Sequence, residues 1–394
     1  MTRVLVTGAS GFIGRAVVSA FAQSGFTLRA AVRRPPQPAF AAGVEVMQHP
    51  DLSQSFDWRP LLEGIDQVVH LAGIAHTGPE IAPELYDRIN RAATAELATA
   101  AAQAGVKQFA FVSSIRAQSG PSADHALTER DAPAPTDAYG RSKLAAEAAV
   151  RASGIAFTIL RPVLLYGPGA KGNFAVLLRA ALSRWPLPVK DFVNRRSLLG
   201  IGNFISALSF VLSAPAAIGE TYIVADPGIP PRLPDLIATL RKAQGRWPLV
   251  FPTPTHYFEN SLRMMGRDDL WERLGGNLRA NPGKLIAAGW QPAYDTRAGL
   301  AALVEAESRS RNTMPPATLD AFKDHGVTAR TVDADLDGAE RVISDLAAAG
   351  IAIESVTDQL LTEGVASFQK SFDTLIAGLE SKAKLLGRAL AVSR

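Results

Sequence analysis

The chain of 394 residues contains no cysteine. This absence excludes disulfides, thiolate metal sites and a cysteine nucleophile. Long apolar runs are also missing, because the best candidate, residues 206–219, is short and interrupted by Pro215. The opening residues MTRVLVTGAS reach Thr-Gly too early to form the apolar segment of a signal peptide. We therefore expect a soluble cytoplasmic protein with no membrane partner.

Histidine is scarce as well, with six in the chain. His70 lies in an apolar segment that reads as a strand, so we expect it to be a hydrogen-bonded core residue. The others show no spacing typical of a metal-binding motif; they are His49, His76, His125, His256 and His325. We therefore expect no metal site.

Basic blocks with interleaved aromatic residues are also absent, which argues against a nucleic-acid partner. The net charge of +4 is unevenly placed along the chain. Residues 312–394 hold 8 Lys and Arg against 12 Asp and Glu, a net charge of −4, so the preceding residues carry +8. An excess of positive charge in that first part suits an anionic small molecule.

Tryptophan and tyrosine are absent beyond residue 311, and Pro315 and Pro316 are the last of 26 prolines. This change in composition indicates a domain boundary near residues 306–314. The residues before this boundary and the residues after it are therefore predicted to form separate parts of the protein.

Short apolar strands alternate with helical patterns in the first half of the chain. The strands are predicted at 3–8, 27–32, 44–47, 67–73, 107–114 and 157–162, with helices at 12–25 and 84–105 among them. Nearly continuous apolar strands that alternate with helices indicate a parallel sheet covered on both faces. We therefore predict an α/β fold with a Rossmann-like, doubly wound parallel sheet.

The pattern becomes irregular and richer in proline from about residue 163. We interpret this part as a smaller substrate-binding lobe, with a closing helix and turn over 276–292. The predicted organisation is a dinucleotide-binding core over 1–162, a lobe over 163–306 from which the chain returns to the core, and an added helical segment over 312–394.

The segment TGASGFIG places Gly8, Gly11 and Gly14 between the first strand and the first helix. A tight turn, a close approach of backbone to a pyrophosphate, and close packing of helix on strand each require a glycine. The helix start at Phe12 and Ile13 would then hold the diphosphate through its backbone amides. A glycine triplet in the first strand–helix unit predicts a dinucleotide cofactor.

Acidic residues are absent between Gly14 and Glu45, where a ribose-binding carboxylate is expected in proteins that use NAD. The second strand is followed instead by Arg33 and Arg34, and an arginine there accommodates the 2′-phosphate of NADP. We therefore favour NADP over NAD, with solvated loop arginines as the alternative. Asp51 and Leu52 follow the third strand, where the carboxylate can take the adenine amino group or act as a turn residue.

The segment YGRSK places Tyr139 and Lys143 four residues apart on one face of a helix. A neighbouring ammonium, together with a cationic nicotinamide ring, can lower the pKa of a tyrosine so that it exchanges protons near neutral pH. Ser114 closes a strand at the same edge of the sheet, and its hydroxyl can bind the substrate oxygen. These three residues are the predicted catalytic group, and their presence argues against the alternative of a non-catalytic NADP-binding sensor or structural protein.

The motifs TGASGFIG, VVHLAG, VSS, YGRSK and LRPVLLYGPG occur in an order that resembles the extended short-chain dehydrogenase/reductase superfamily over about residues 1–305. The resemblance implies hydride transfer at a sugar or alcohol carbon. It implies that Tyr139 is the general acid/base, Lys143 its partner, and Ser114 the ligand of the substrate oxygen. Asn90 is implied to be structural beside the cofactor, which Leu71, Ala72 and Gly73 would line.

The later motifs resemble those of nucleotide-sugar 4-epimerases and 4-keto-sugar reductases. They imply that Asn173 and Arg196 bind the diphosphate of a nucleotide-sugar, UDP-linked by expectation, with Arg195 as the alternative arginine. Gln118 and Ser119 occupy positions where the superfamily often has tyrosine and glycine. This difference, together with Arg33, favours a reductase over an epimerase. No arginine near the end of this part of the sequence stands out as a phosphate ligand. We expect the protein to be a homodimer.

Residues 312–394 resemble the C-terminal portion of a transaldolase, from NTMPPATLDAFKDHG onward. The lysine that forms the Schiff base in that family belongs to strands that this chain does not contain, and about 83 residues cannot close a barrel of typically about 250. Amphipathic helices are predicted over 338–350 and 355–390. They would pack on the first part, on each other or on a second subunit. We expect truncation near Arg311 to keep the oxidoreductase activity.

Overall fold

The computed structural model describes residues 2–310, apart from 37, 76–80, 171, 172, 184, 265 and 267. Beyond these it describes residues 336–350 and the isolated positions 352, 355, 358, 359, 362 and 363. The chain divides into two compact units, Met1–Asn312 and Thr313–Arg394.

A seven-stranded parallel sheet forms the centre of the first unit, with the strand order β10-β7-β5-β4-β1-β2-β3. Two small two-stranded sheets, β6 with β11 and β8 with β9, complete the strand inventory of the described residues. The bounds are β1 Arg3–Thr7, β2 Thr27–Val32, β3 Glu45–Gln48, β4 Gln67–His70, β5 Gln108–Val112, β6 Ala126–Leu127, β7 Phe157–Pro162, β8 Leu164–Tyr166, β9 Leu198–Gly200, β10 Thr221–Val224 and β11 Arg279–Ala280.

Helices cover both faces of the large sheet. Their bounds are α1 Phe12–Ala22, α2 Arg59–Leu62, α3 Pro83–Tyr86, α4 Ala93–Gln103, α5 Ala138–Ala152, α6 Asn173–Leu182, α7 Ile201–Ser213, α8 Leu233–Ala243, α9 Thr255–Met264, α10 Asp268–Gly275, α11 Gly283–Ala287, α12 Thr296–Ser310 and α13 Leu336–Ala348. Side chains alternate along a strand, so Val4 and Val6 of β1 pack with α1 and α7, while Leu5 packs with α4 and α5. The predicted doubly wound α/β fold is confirmed.

The chain beyond residue 163 contributes to the sheet as well as to a separate lobe. Strand β10 pairs with β7 at one edge of the sheet, and α7 packs on one of its faces. The rest of this part forms a second apolar cluster around Tyr166, Phe174 and Leu240. The buried Asp226 carboxylate joins these elements; it accepts hydrogen bonds from Gly200 N (2.9 Å), Asn203 Nδ2 (2.8 Å), Tyr166 OH (2.8 Å) and Thr296 Oγ1 (3.0 Å).

Three elements differ from the sequence prediction. The helix predicted over 84–105 contains a π-helical turn, Asp87–Ala92, between α3 and α4, and the Thr94 hydroxyl there donates to the Asn90 carbonyl (2.6 Å). The strand predicted over 67–73 ends at His70, because the chain turns through Gly73 with φ +155°. The segment 276–292 holds strand β11 as well as α11.

The second unit is described mainly through α13. This helix matches the one predicted over 338–350, and Gly350 follows it with φ +81°, a left-handed conformation that ends helices. Most of the helix predicted over 355–390 lies outside the described residues. None of the helices described is long and apolar enough to cross a membrane.

His70 lies at the centre of the sheet and is fully buried. Its Nδ1 pairs with Thr7 Oγ1 (2.7 Å) and its Nε2 with Thr94 Oγ1 (2.9 Å), which satisfies both ring nitrogens. Burial lowers the pKa of His70 from its ordinary value to about 3, so the ring is neutral at pH 7. In the unfolded chain the same ring gains a proton near pH 6.5.

The free energy of unfolding is therefore expected to fall as the pH drops below about 6.5, because the unfolded state then binds a proton that the folded state does not. The His70 contribution amounts to about 2 kcal/mol between pH 7 and pH 5. Urea unfolding of the wild type and of His70→Gln at both pH values measures it. The drop should shrink in His70→Gln and persist in His125→Gln, a surface control; an equal drop in all three contradicts the assignment.

Candidate active site

The turn after β1 forms a backbone cradle at the edge of the sheet where the strands end. Gly8 has φ +67°, and a Cβ there would lie 2.8 Å from the Ala72 backbone nitrogen. A Cβ on Gly14 would collide with the Gly8 carbonyl oxygen. Gly11 N donates to that same oxygen (3.0 Å), which closes the turn. A side chain is therefore excluded at Gly8 and at Gly14 by contacts with backbone atoms.

The cradle opens onto the start of α1, at Phe12 and Ile13. Gly11 caps this helix without a side-chain hydrogen bond, and the first turn carries no acidic residue. Backbone amides and the positive end of the helix dipole thus meet the cradle without a competing side chain. These residues fit the diphosphate of a dinucleotide. Leu71 and Ala72, which follow β4, form the neighbouring wall, and Ala72 N donates to Thr7 Oγ1 (3.3 Å).

Arg33 and Asp51 meet at the ends of β2 and β3. Arg33 Nη1 donates to Asp51 Oδ2 (2.8 Å), and the two side chains are 68% and 45% exposed. The Ser53 backbone amide (2.9 Å) and then the Arg33 guanidinium lower the pKa of Asp51 to about 2. Leu52 is buried beside them. The structure thus brings the two predicted polar residues of the adenosine end together as an exposed ion pair.

Asn90 lies in the π-helical turn and is buried. Its Oδ1 accepts from Ile74 N (2.9 Å), and its Nδ2 donates to Ile74 O (3.0 Å) and to Ser142 Oγ (3.0 Å). Asn90 therefore joins the turn after β4 to helix α5. A Cβ on Gly73 would lie 2.8 Å from Asn90 Oδ1 and 3.9 Å from Lys143 Nζ, so this turn passes directly beside the predicted catalytic lysine.

Ser114 follows β5 and caps a short 3-10 turn, Ile115–Ala117, by accepting from Arg116 N (3.1 Å). Asp137 caps α5 by accepting from Gly140 N (2.6 Å), and its other oxygen binds the Arg116 guanidinium. Gly140 packs against the Arg116 carbonyl so closely that a Cβ would collide with it. The start of α5 is therefore clamped to the turn after Ser114, which brings Tyr139 to the serine.

Tyr139 is half-buried, and its hydroxyl forms a hydrogen bond with Ser114. Burial raises the pKa of Tyr139 above its ordinary value, although the Ser114 hydrogen bond acts in the opposite direction. The predicted lowering of this pKa by the Lys143 ammonium together with a cationic nicotinamide ring stays a prediction. The contacts of the Lys143 side chain itself are with the end of β5.

Lys143 Nζ donates to the Val112 carbonyl (2.8 Å) and lies 4.6 Å from the centre of the Phe111 ring. The side chain is buried, and burial lowers its pKa to about 8, while the nearby Glu147 carboxylate acts in the opposite direction. The lysine thus lies behind the site, at the end of β5, with a charge that titrates near neutral pH.

The predicted substrate residues lie in the lobe. Asn173 begins α6, and its side chain lies outside what the structure describes. Arg196 donates through Nη1 to Gly276 O (2.9 Å) and through Nη2 to Pro121 O (3.0 Å). Arg195 donates to Pro230 O (2.8 Å). The Arg195 guanidinium therefore joins loops of the lobe, and the Arg196 guanidinium also joins the lobe to the loop at Pro121.

Sequence reasoning missed a buried polar group next to the serine. Glu147 is fully buried one turn beyond Lys143, and it accepts from Ser113 Oγ (2.6 Å) and from Arg161 Nε (2.8 Å). Arg161 also donates to the Gln118 side-chain oxygen. The signal was present in YGRSKLAAE, where Glu147 repeats the helical spacing of Tyr139 and Lys143. Gln118 is therefore a core partner of Arg161 and does not face solvent.

Tyr86 is a second residue that sequence reasoning missed. It is buried at the end of α3, and its ring centre lies 6.0 Å from that of Tyr139. Within the part of the chain that the structure describes, no group of three or more His, Asp or Glu side chains is placed to hold a metal ion.

Comparison with known proteins identifies the family of the chain. The NAD dependent epimerase/dehydratase family matches residues 4–225. The UDP-glucose 4-epimerase of Vibrio cholerae is 30% identical over 320 residues, which cover 78% of this chain and 96% of that protein. The structure of MoeE5 in complex with UDP-glucuronic acid and NAD is 26% identical, has a TM-score of 0.63, and covers 78% of this chain and 99% of that one. The chain belongs to the NAD dependent epimerase/dehydratase family of enzymes.

The C-terminal part has relatives of another kind. The Transaldolase/Fructose-6-phosphate aldolase family matches residues 302–379, so the match begins inside α12. The transaldolase of Frankia alni is 43% identical over 79 residues, which cover 20% of this chain and 20% of that protein. The predicted resemblance is confirmed, and it extends to a fifth of the length of that relative.

Gly8→Ala is expected to weaken binding of a nicotinamide dinucleotide at least about tenfold, because the new methyl group displaces the cradle from Ala72. Gly25→Ala is the matched control, since Gly25 also has a positive φ (+79°) but nothing within 4 Å of a Cβ. It should lose about 1 kcal/mol of stability and keep its affinity. Fluorescence titration and thermal unfolding measure both; equal affinity losses in the two variants would contradict the cradle.

Proposed function

We propose that the chain reduces the 4-keto group of a nucleotide-linked sugar. The observation that carries the proposal is the hydrogen bond between Tyr139 and Ser114 at the sheet edge that also holds the glycine cradle. The bound dinucleotide supplies the hydride for C4 of the sugar. The Ser114 hydroxyl hydrogen-bonds the ketone oxygen, and the Tyr139 phenol donates a proton to that oxygen as the alcohol forms.

The protonation state of Tyr139 suits the proton-donating step of a reduction. A general acid must hold its proton until the transition state, and burial keeps this phenol protonated at neutral pH. Lys143, one helical turn from Tyr139, supplies the positive charge that stabilises the phenolate remaining after proton transfer. Solvent returns the proton to Tyr139 after the product leaves.

A 4-epimerase is the second candidate, and the similarity to the UDP-glucose 4-epimerase of Vibrio cholerae favours it. An epimerase first removes a hydride and later returns it, so it has no net use of cofactor. A reductase consumes one reduced cofactor in every turnover. The consumption of NADPH per sugar converted therefore separates the two candidates.

The substrate we propose is UDP-linked, because UDP-glucuronic acid is bound in the MoeE5 structure and the Vibrio cholerae relative is named for UDP-glucose. Asn173 and Arg196 remain the proposed contacts of its diphosphate. Two N–H groups of Arg196 donate to carbonyls, so a phosphate contact would come in addition to these hydrogen bonds or replace them. We also propose a homodimer, and no transaldolase chemistry in the C-terminal part.

Tyr139→Phe is expected to reduce kcat by about a thousandfold, because the variant loses the phenol that we propose as the donor of the proton to O4. The affinity for the cofactor should remain within about twofold, since the ring is kept. Tyr86→Phe is the matched control, as it removes a neighbouring hydroxyl 6.0 Å away between ring centres. Stopped-flow oxidation of NADPH with a UDP-linked 4-keto sugar measures kcat; equal losses in both variants contradict the role of Tyr139.

We propose that Arg33 gives a preference for NADP over NAD. Its ion pair with Asp51 is largely exposed and contributes little, so the guanidinium is available to a 2′-phosphate. Arg33→Ala should weaken NADPH binding about tenfold and leave NADH binding unchanged. Arg34→Ala is the adjacent control. Tighter binding of NADH than of NADPH by the wild type would contradict the preference and leave the proposed reduction untouched.

A further inference from the structure

The tetrapeptide Arg-Trp-Pro-Leu occurs twice in the lobe, at residues 184–187 and 246–249. Neither copy belongs to the site described above. Trp185 is 78% exposed and Trp247 is 81% exposed, whereas Trp58 and Trp290 are buried in the core. Two large indole rings therefore lie in solvent on loops of matching sequence.

The two loops lie side by side. Leu187 N donates to Leu249 O (2.9 Å), and Phe251 N donates to Leu187 O (3.0 Å), so their backbones pair. The buried Arg241 guanidinium joins them further, because Nη2 donates to Trp185 O (2.7 Å) and Nη1 to Pro248 O (2.6 Å). Trp185, Trp247, Leu249 and Phe251 form one surface, the tryptophan corner.

The backbone holds these side chains outward at a cost in free energy. Leu249 has φ +43°, and it is the one non-glycine residue with a positive φ among the residues described. Such a conformation is unfavourable for a bulky residue and tends to persist at functional sites. Each tryptophan precedes a proline, which restricts its backbone to extended conformations. Leu249 and Phe251 remain 50% and 44% exposed.

Basic residues lie in the two loops of the tryptophan corner and at the ends of the helices that precede these loops. Lys190 and Arg246 lie in the two loops, and both are exposed. Arg179 and Lys242 lie in the last turns of α6 and α8, where they also face helix C-termini. Asp191 is the acidic residue that follows Lys190, and the loop sequence QGRWPLVF contains none.

We propose that the tryptophan corner attaches the protein to the surface of an anionic lipid bilayer. Tryptophan prefers the interface between headgroups and acyl chains, and neighbouring Lys and Arg are attracted to anionic lipids. The tryptophan corner combines exposed tryptophans with neighbouring basic residues, so it has both of these features. The sequence predicts no membrane partner because it lacks a membrane-spanning segment. The attachment proposed here does not require such a segment. It is independent of the reaction proposed above.

The full chain is tested by sedimentation with vesicles of phosphatidylcholine containing 30% phosphatidylglycerol, and with phosphatidylcholine alone. The wild type should sediment with the anionic vesicles and at least about tenfold less with the neutral ones. Trp185→Ser/Trp247→Ser should reduce anionic binding at least about tenfold. Ile229→Ser is the matched control, since Ile229 is 82% exposed near the opposite end of α8, and it should bind as the wild type does.

A second readout does not depend on variants. Tryptophan emission of the wild type should shift to shorter wavelength with anionic vesicles and should be quenched by brominated acyl chains, because indoles enter the interface. Absence of sedimentation or of quenching overturns the proposal. Equal sedimentation of the double variant and the wild type also overturns it. So does an oligomer that the double variant dissociates in ultracentrifugation without vesicles, which would identify the corner as a contact between copies.

Discussion

The active-site edge of the sheet depends on the hydrogen bonds and the ion pair that the buried Glu147 carboxylate makes. It joins helix α5 to Ser113 at the end of β5 and to Arg161 in β7. A buried ion pair contributes little net stability, but loss of one partner is costly because the other charge remains buried. The Glu147–Arg161 ion pair therefore adds little to the free energy of unfolding. Its main effect is to hold Ser114, Tyr139 and Lys143 in position.

The same edge of the sheet brings cofactor and substrate functions together. Parallel strands end at the same edge of a sheet. The features that follow these strands therefore lie close together; they are the glycine cradle after β1, the turn after β4 that Asn90 holds, and Ser114 after β5. Burial then decides the protonation of the groups. It keeps Tyr139 protonated and lowers the pKa of Lys143 to about 8, which suits proton donation followed by stabilisation of the phenolate.

Local motifs were predictable from the sequence, and long-range pairings were not. The glycine turn, the serine-tipped strand and the Tyr139–Lys143 spacing each lie within one element, so residue types alone indicated them. Arg33 with Asp51, and Glu147 with Arg161, are pairs that only the folded backbone brings together. The hydrogen bond of Lys143 to the Val112 carbonyl is also a contact that the spacing of the motif does not encode. The paired tryptophan loops are likewise 62 residues apart in sequence, yet share Arg241.

The most direct test of the central claim follows the hydride itself. Turnover of a UDP-linked 4-keto sugar with NADPH deuterated at the transferred position of the nicotinamide is analysed by mass spectrometry and NMR. The account predicts one deuterium at C4 of the sugar for each cofactor oxidised, with the proton on O4 drawn from solvent through Tyr139. No deuterium transfer to the 4-keto sugar, together with epimerisation at C4 of the corresponding UDP-linked 4-hydroxy sugar without net consumption of cofactor, would contradict it.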